Sequence, residues 1–247
     1  VVVKLGAFPG NQVPIVSLGA SATNAGTGVT LTFSALATDG DGDPLAYYWS
    51  FGDGNFGTNG PTAAKSWAAA GEYVVRCEVS DMKGGVGSQS LIVRIGSPTT
   101  YRIAGQVQTS GGPLPDVRVS VSSTRMAWTD SDGTYAITGL PAGSYTASAS
   151  LENYSFSVAG FTNTVSVGPN AAGIDFVATF SGPLPPGITN QPLSQSVGLG
   201  ANVTFNVGAT GTAPLTYRWR FNGANIAGAT NNSYVKSNVQ LTNAGNY

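Results

Sequence analysis

One frame occurs twice in these 247 residues. Thr30-Leu-Thr-Phe33, Ala37-Thr38, Pro44-Leu45, Tyr47, Trp49 and Phe51 are echoed by Asn202-Val-Thr-Phe205, Ala209-Thr210, Pro214-Leu215, Tyr217, Trp219 and Phe221. Ala70-Gly-Glu-Tyr73 returns as Ala244-Gly-Asn-Tyr247. An internal repeat of this size means repeated domains, so the chain is a string of small modules. Within the frame Leu45, Tyr47, Trp49 and Phe51 alternate with Ala46, Tyr48 and Ser50. A period of two gives a strand with one large apolar face, so Trp49 points inward and anchors a sandwich core. Gly52-Asp53-Gly54 then reverses the chain, because glycine accepts positive φ at little cost, and Asp53 fixes the turn with its own side chain. The two copies differ informatively: Asp39 to Asp43 is replaced by Gly211-Thr-Ala213. The carboxylates are not needed to build the frame and call for another explanation.

Charge and composition remove several function classes. Eleven Lys and Arg against twelve Asp and Glu leave a net charge of −1, which gives no electrostatic case for nucleic acid or an anionic membrane. No apolar run is long enough to insert in a bilayer. Many short alternating runs and frequent turn signals, with 34 glycines, predict an all-β chain. There is no histidine, and Cys77 is the one cysteine. Disulfides within the chain, Cys/His zinc sites and Ser-His-Asp or Cys-His catalytic groups are thereby excluded. Cys77 lies between Val75 and Val79 on one strand face, which predicts a buried apolar role. No catalytic residue is assigned; the acids sit in turns rather than across a cleft. The chain opens Val-Val-Val-Lys without a signal-peptide core and stops where the first copy of the frame still has two strands to run, so it reads as an internal piece of a longer protein.

In order, residues 1–9 read as a lead-in or the last strand of a preceding domain. The first module spans 10–97, with strands expected at 13–18, 29–36, 45–51, 63–67, 73–80 and 88–95. Lys83-Gly-Gly85 turns the final hairpin. Asn11-Gln-Val-Pro14, the Trp49 strand with its Gly-Asp-Gly turn, and Ala70-Gly-Glu-Tyr73 through Asp81 together resemble the PKD domain, an immunoglobulin-like module, although Ser50 stands where that family has Asp. Trp67 matches an aromatic of that family and is expected in the core. A short linker, Gly96-Ser-Pro-Thr-Thr100, leads to the second module, 98–182. Its Ile103-Ala-Gly-Gln-Val107, Gly112-Pro-Leu-Pro-Asp-Val117, Thr129-Asp-Ser-Asp-Gly-Thr-Tyr135 and Gly139-Leu-Pro-Ala-Gly-Ser-Tyr145 resemble the carboxypeptidase-regulatory-like (transthyretin-like) fold, kin to CnaB repeats. The isopeptide chemistry of some CnaB domains is excluded, because this module has no lysine. Val117, Val119 and Val121 form a buried face, and Asp132-Gly133 is expected to turn a hairpin between 127–129 and 135–137. After the proline-rich spacer Ser181 to Gly187, the third module, 183–247, resembles bacterial immunoglobulin-like repeats. Tyr247 stands at the tyrosine-corner position, and the expectation is an unclosed sandwich with an exposed edge and apolar face. The fold class is tandem immunoglobulin-like and transthyretin-like β-sandwiches.

The constellation with chemical content is Asp39, Asp41 and Asp43. Alternating Asp and Gly places three hard oxygen donors on a short loop, which suits calcium with its about 6–8 oxygen ligands. Three carboxylates this close repel one another unless a cation neutralises them. The PKD resemblance implies a fuller calcium set of Asn11, Asp39, Asp41 and Asp81, with Asp43 either a ligand or the cap before Pro44. The alternative is a solvated loop of Asx turns. Asp130-Ser-Asp132-Gly133 offers a weaker second site, where hairpin turn chemistry suffices. Outward Tyr48 and the alternating Tyr154 and Phe156 suggest a row that stacks on sugars, against the alternative of scattered surface aromatics. The resemblances together imply a non-catalytic accessory region of a large secreted bacterial hydrolase, touching a polysaccharide or protein substrate or a cell surface, with calcium stiffening the first module. The alternatives are an adhesin stalk and a carbohydrate-binding module. The modules are expected to be extracellular and monomeric.

Overall fold

The computed structural model describes residues 10–247, so the expected strand within 1–9 lies outside the described residues. Among the described residues no α-helix forms, and among them no helix is long and apolar enough to cross a membrane. The chain divides after Ser181 into two compact units.

The first unit begins with a seven-stranded sandwich. Its strands are β1 (Ile15–Ala20), β2 (Asn24–Ala25), β3 (Leu31–Thr38), β4 (Ala46–Ser50), β5 (Thr62–Lys65), β6 (Gly71–Ser80) and β7 (Val86–Ile95). They form two sheets, β1-β3-β5 and β2-β7-β6-β4. Alternation sends Leu31, Phe33 and Ala35 of β3 and Val75, Cys77 and Val79 of β6 into one core, where they close around Trp49. The Trp49 indole N–H donates to the Gly60 carbonyl at 2.9 Å, so burying this polar edge leaves no orphaned donor. Phe51 and Trp67 enter the same core from outside the strands. Cys77 is fully buried, as its strand position predicts. Observed strands start about two residues later than expected at β1 and β3, and Val13 and Val29 are exposed. The short β2, which pairs parallel with the end of β7, has no sequence signal of its own.

The same unit continues with β8 (Tyr101–Thr109), β9 (Gly112–Pro113), β10 (Arg118–Ser120), β11 (Met126–Trp128), β12 (Thr134–Leu140), β13 (Gly143–Tyr145), β14 (Ser148–Ser150), β15 (Tyr154–Ala159), β16 (Val165–Val167) and β17 (Asp175–Phe180). One sheet runs β12-β8-β17-β15 and another β11-β10-β14. Val117 and Val119 are fully buried in the shared core with Ile103, Leu140 and Phe176, and Val121 packs against it. The expected hairpin across Asp132-Gly133 is a correction. The turn itself is present, with the Gly133 N–H donating to the Asp130 carbonyl at 2.8 Å and Gly133 at φ +76°. The strands it joins do not pair: β11 pairs β10, and β12 pairs β8. Local turn chemistry sets the reversal, but burying both apolar faces sends the two arms to different sheets.

The two modules of this unit are tied through both side chains and backbone. Arg76 on β6 donates to the carbonyls of Trp128 and Thr129 at 3.0 and 3.4 Å and to Ser88 Oγ at 3.0 Å. Its Nη1 lies 2.8 Å from Asp130 Oδ1. That oxygen has no aligned hydrogen bond, so charge holds the contact. Ser88 and Ser131 exchange two further bonds, the Ser88 N–H donating to Ser131 Oγ at 2.8 Å and the Ser131 N–H to the Ser88 carbonyl at 3.2 Å. Arg102 Nη1 sits 2.8 and 2.7 Å from the two Glu72 carboxylate oxygens. These contacts place Asp130 in a buried junction, where the sequence offered only an exposed turn.

The second unit, Gly182–Tyr247, repeats the frame on a smaller scale. Its strands β18 (Gly187–Asn190), β19 (Val203–Asn206), β20 (Gly208–Thr210), β21 (Arg220–Phe221), β22 (Ala224–Asn225) and β23 (Ser233–Lys236) form only two-stranded pairs. The Trp219 indole donates to the Asn231 carbonyl at 2.9 Å, matching Trp49 in the first copy. Tyr247 stacks on Phe205 at 4.8 Å, and its hydroxyl donates to the Asn243 carbonyl at 3.1 Å, which makes the tyrosine corner. Leu193, Leu199 and Leu241 are exposed.

Candidate functional site

The acidic loop between β3 and β4 is shaped by its first carboxylate. Asp39 Oδ1 accepts the backbone N–H groups of Asp41 and Asp43 at 2.9 and 3.1 Å, an Asx turn that folds the loop onto itself. Gly42 adopts φ +75°, which the alternating glycine permits. Carboxylate oxygens of Asp39, Asp41 and Asp43 thereby come within 4.8 Å of one another. Asp41 also accepts the Gln12 N–H at 2.7 Å, which ties the loop to the entrance of the first strand.

Two oxygens in this cluster lack partners. Asp39 Oδ2 and Asp43 Oδ2 are buried without a hydrogen bond. The other Asp43 oxygen pairs with Lys83 Nζ at 2.6 Å, and this contact, more than any other, raises the Lys83 ammonium above its ordinary value. One ammonium against three carboxylates leaves two negative charges unbalanced at the loop.

Asn11 and Asp81 are committed to each other. Asn11 Nδ2 donates to Asp81 Oδ2 at 2.6 Å, and the N–H groups of Lys83 and Gly85 donate to Asp81 Oδ1 at 2.7 and 2.9 Å. Burial pushes the Asp81 carboxyl up, but the bonds from Asn11 and the β6–β7 turn outweigh it and hold the group below the usual carboxylate range. Asp81 thus shapes the hairpin, and the convergent group among the described residues is Asp39, Asp41 and Asp43. Asp53 does what its turn predicts, accepting the Asn55 N–H at 3.1 Å, and adds an ion pair with Lys65 at 2.7 Å.

The aromatic row differs from expectation. Tyr154 and Phe156 are half-buried and pack against the core of their module, and Tyr48 is half-buried beside exposed Phe56 at 5.4 Å. Trp128 is an exposed ring that the sequence reading missed. Its signal was present: Met126 and Trp128 flank Ala127, so the large side chains share the face opposite the small inward one.

Family models match the chain in three consecutive segments: the PKD domain at 11–95, the carboxypeptidase regulatory-like domain at 102–178 and the immunoglobulin domain at 185–247. Among solved structures, the PKD domain of an M14-like peptidase from Thermoplasmatales archaeon SCGC AB-540-F20 is 27% identical, over 35% of this chain and 96% of that one, with a TM-score of 0.30. The PKD1 domain of Vibrio anguillarum Epp is 25% identical, over 36% of this chain and 99% of that one, also at 0.30. A structure of carbohydrate-binding modules from the β-sandwich superfamily is 25% identical, over 56% of this chain and 58% of that one, at 0.34. No curated protein matches the chain.

Proposed function

From a PKD domain, a carboxypeptidase regulatory-like domain and an immunoglobulin domain in tandem, we propose that this stretch is a non-catalytic accessory region of a large secreted hydrolase, a protease or glycosidase. The observation that supports this reading is the make-up of the chain: three non-catalytic module types, with no histidine to serve a nucleophile. In this role the modules work outside the cell as an arm that holds a catalytic domain near its substrate or a surface. The Arg76–Asp130 junction supports it too, since an arm transmits position only where its modules do not swivel. The coding sequence flanking these residues is the test. A catalytic domain on the same polypeptide supports the reading; further repeats ending in a cell-surface sorting tail overturn it in favour of an adhesin stalk.

Calcium binding at the first module belongs to the same proposal. Asp39, Asp41 and Asp43 would supply carboxylate oxygens, and two orphaned buried oxygens with two unbalanced charges fit a hard divalent cation. Bound calcium would neutralise the loop and stiffen the β3–β4 connection. A thermal melt of the chain with calcium or with chelator tests this. At a hundred times the dissociation constant, binding to the folded state alone adds about 2.7 kcal/mol. The first unit should melt higher with calcium, and Asp41→Ala should abolish the gain. Superimposed melts would leave a network of Asx turns and a lysine ion pair.

A further inference from the structure

The sheet β11-β10-β14 turns one face to solvent, and that face carries the exposed tryptophan. Trp49, Trp67 and Trp219 are buried, whereas Trp128 is 51% exposed. Trp128 also lies outside the core cluster of its own module, so packing does not account for it. Strand register aligns it in one cross-strand row, Trp128 opposite Arg118 and Arg118 opposite Ser150. Glu152, Tyr154 and Phe156 extend this row into a shallow groove of about 520 Å³. We propose that the groove binds a neutral polysaccharide, with a sugar ring stacked on Trp128.

Four observations support a polysaccharide over other occupants. A pyranose ring offers an apolar C–H face and a rim of hydroxyls, and the groove offers aromatic surface rimmed by polar groups. The rim carries one cation, Arg118, and one anion, Glu152, neither in an ion pair among the described residues. A donor and an acceptor of opposite charge complement hydroxyls, which both give and take hydrogen bonds; a polyanion meets Glu152 and a polycation meets Arg118. Eight residues line the groove, well short of the roughly 20–30 per side of a stable protein interface. Finally, the strand beneath the ring is tied to the neighbouring module before any ligand arrives. The Trp128 carbonyl accepts Arg76 Nη1 at 3.0 Å across the junction, so a bound chain need not order the strand beneath it. This site is separate from the acidic loop, and the proposal holds whether or not that loop takes calcium.

The test is affinity electrophoresis of the full chain in native gels containing hydroxyethylcellulose, mixed-linkage β-glucan, xylan or amylopectin, with polygalacturonate as the anionic comparison. At least one neutral polymer should retard the protein. Trp128→Ala should weaken that binding by about tenfold or more, Trp128→Phe should recover part of it, and Phe56→Ala on the first module should leave it unchanged. Thermal melts of each variant separate lost binding from lost folding. Should Trp128→Ala fail to fold, acrylamide quenching of the wild-type protein decides the matter: a bound polymer must shield the exposed tryptophan. No retardation by any neutral polymer, retardation by polygalacturonate alone, undiminished binding by folded Trp128→Ala, or quenching unchanged by a polymer that retards the protein would each overturn the proposal.

Discussion

Replacing Arg76 by methionine keeps an aliphatic stem and removes the guanidinium, with its charge and its bonds to Trp128, Thr129 and Ser88. At the 2.8 Å separation of Arg76 Nη1 from Asp130 Oδ1, attraction in an effective dielectric of about 20 is about 6 kcal/mol before desolvation is subtracted. Removing one partner of a buried pair costs about 3–5 kcal/mol, because the other charge is stranded. Asp130, only 2% exposed, is that stranded group. The Ser88 and Ser90 hydroxyls still favour its charged form, so Arg76→Met should sit near the low end, about 3 kcal/mol at neutral pH. In a unit of this size that lowers Tm by roughly 6–12 °C. The loss depends on pH with a definite sign. Burial holds the Asp130 carboxyl above its ordinary value, against the pull of Arg76. A carboxyl raised in the folded state contributes stability that is complete below its unfolded value and is lost as pH rises through the folded one. Without Arg76 the folded value climbs further, so acidifying from about pH 7 to about pH 4.5 should return part of the deficit relative to wild type. Urea denaturation of the full chain at both pH values, followed by tryptophan fluorescence, measures it. Arg76→Met with Asp130→Leu should lie closer to wild type than Arg76→Met alone, since no charge is then buried unpaired. A loss below about 1 kcal/mol at neutral pH, or a deficit that acid leaves unchanged, would refute the reasoning.

Other expectations follow from burial and close approach. Cys77 is fully buried and burial pushes its thiol up to about 12, so the folded chain should resist thiol labelling at mildly alkaline pH and react once urea unfolds it; fast labelling of folded protein contradicts this. Gly105 lies where an added Cβ would strike the Ile174 carbonyl. Gly105→Ala should therefore cost about 1–3 kcal/mol by thermal melt, and a neutral result would show that β8 and its neighbours shift freely.

What the sequence made legible was whatever a single strand can encode. Alternation around Trp49 and Cys77 assigned both to the core, because a period of two fixes which side chains share a face. The twice-used frame carried over to equivalent indole bonds in Trp49 and Trp219. Choices made between distant segments were not legible. The turn at Gly133 was correct, yet its arms pair with strands far away in sequence. Arg76 and the Trp128 carbonyl meet 52 residues apart, and nothing near either residue announces the other. The acidic loop was visible as a charge pattern, but the Asn11–Asp81 bond and the Lys83 contact depend on which hairpin packs beside it. Tyr154 and Phe156 show a related gap, since alternation names the face and not what covers it.

The parallel pairing of β8 with β17 has a mechanical meaning. The middle module is entered along β8 and left along β17, and these strands run side by side in the same direction, Phe176 opposite Val107 and Val177 opposite Gln108. Tension applied to the two ends of the module therefore pulls the strands past each other. That load falls on the joining hydrogen bonds together as shear, where an antiparallel pair loaded from one end would unzip bond by bond. The middle module is thus set to bear extension along its length.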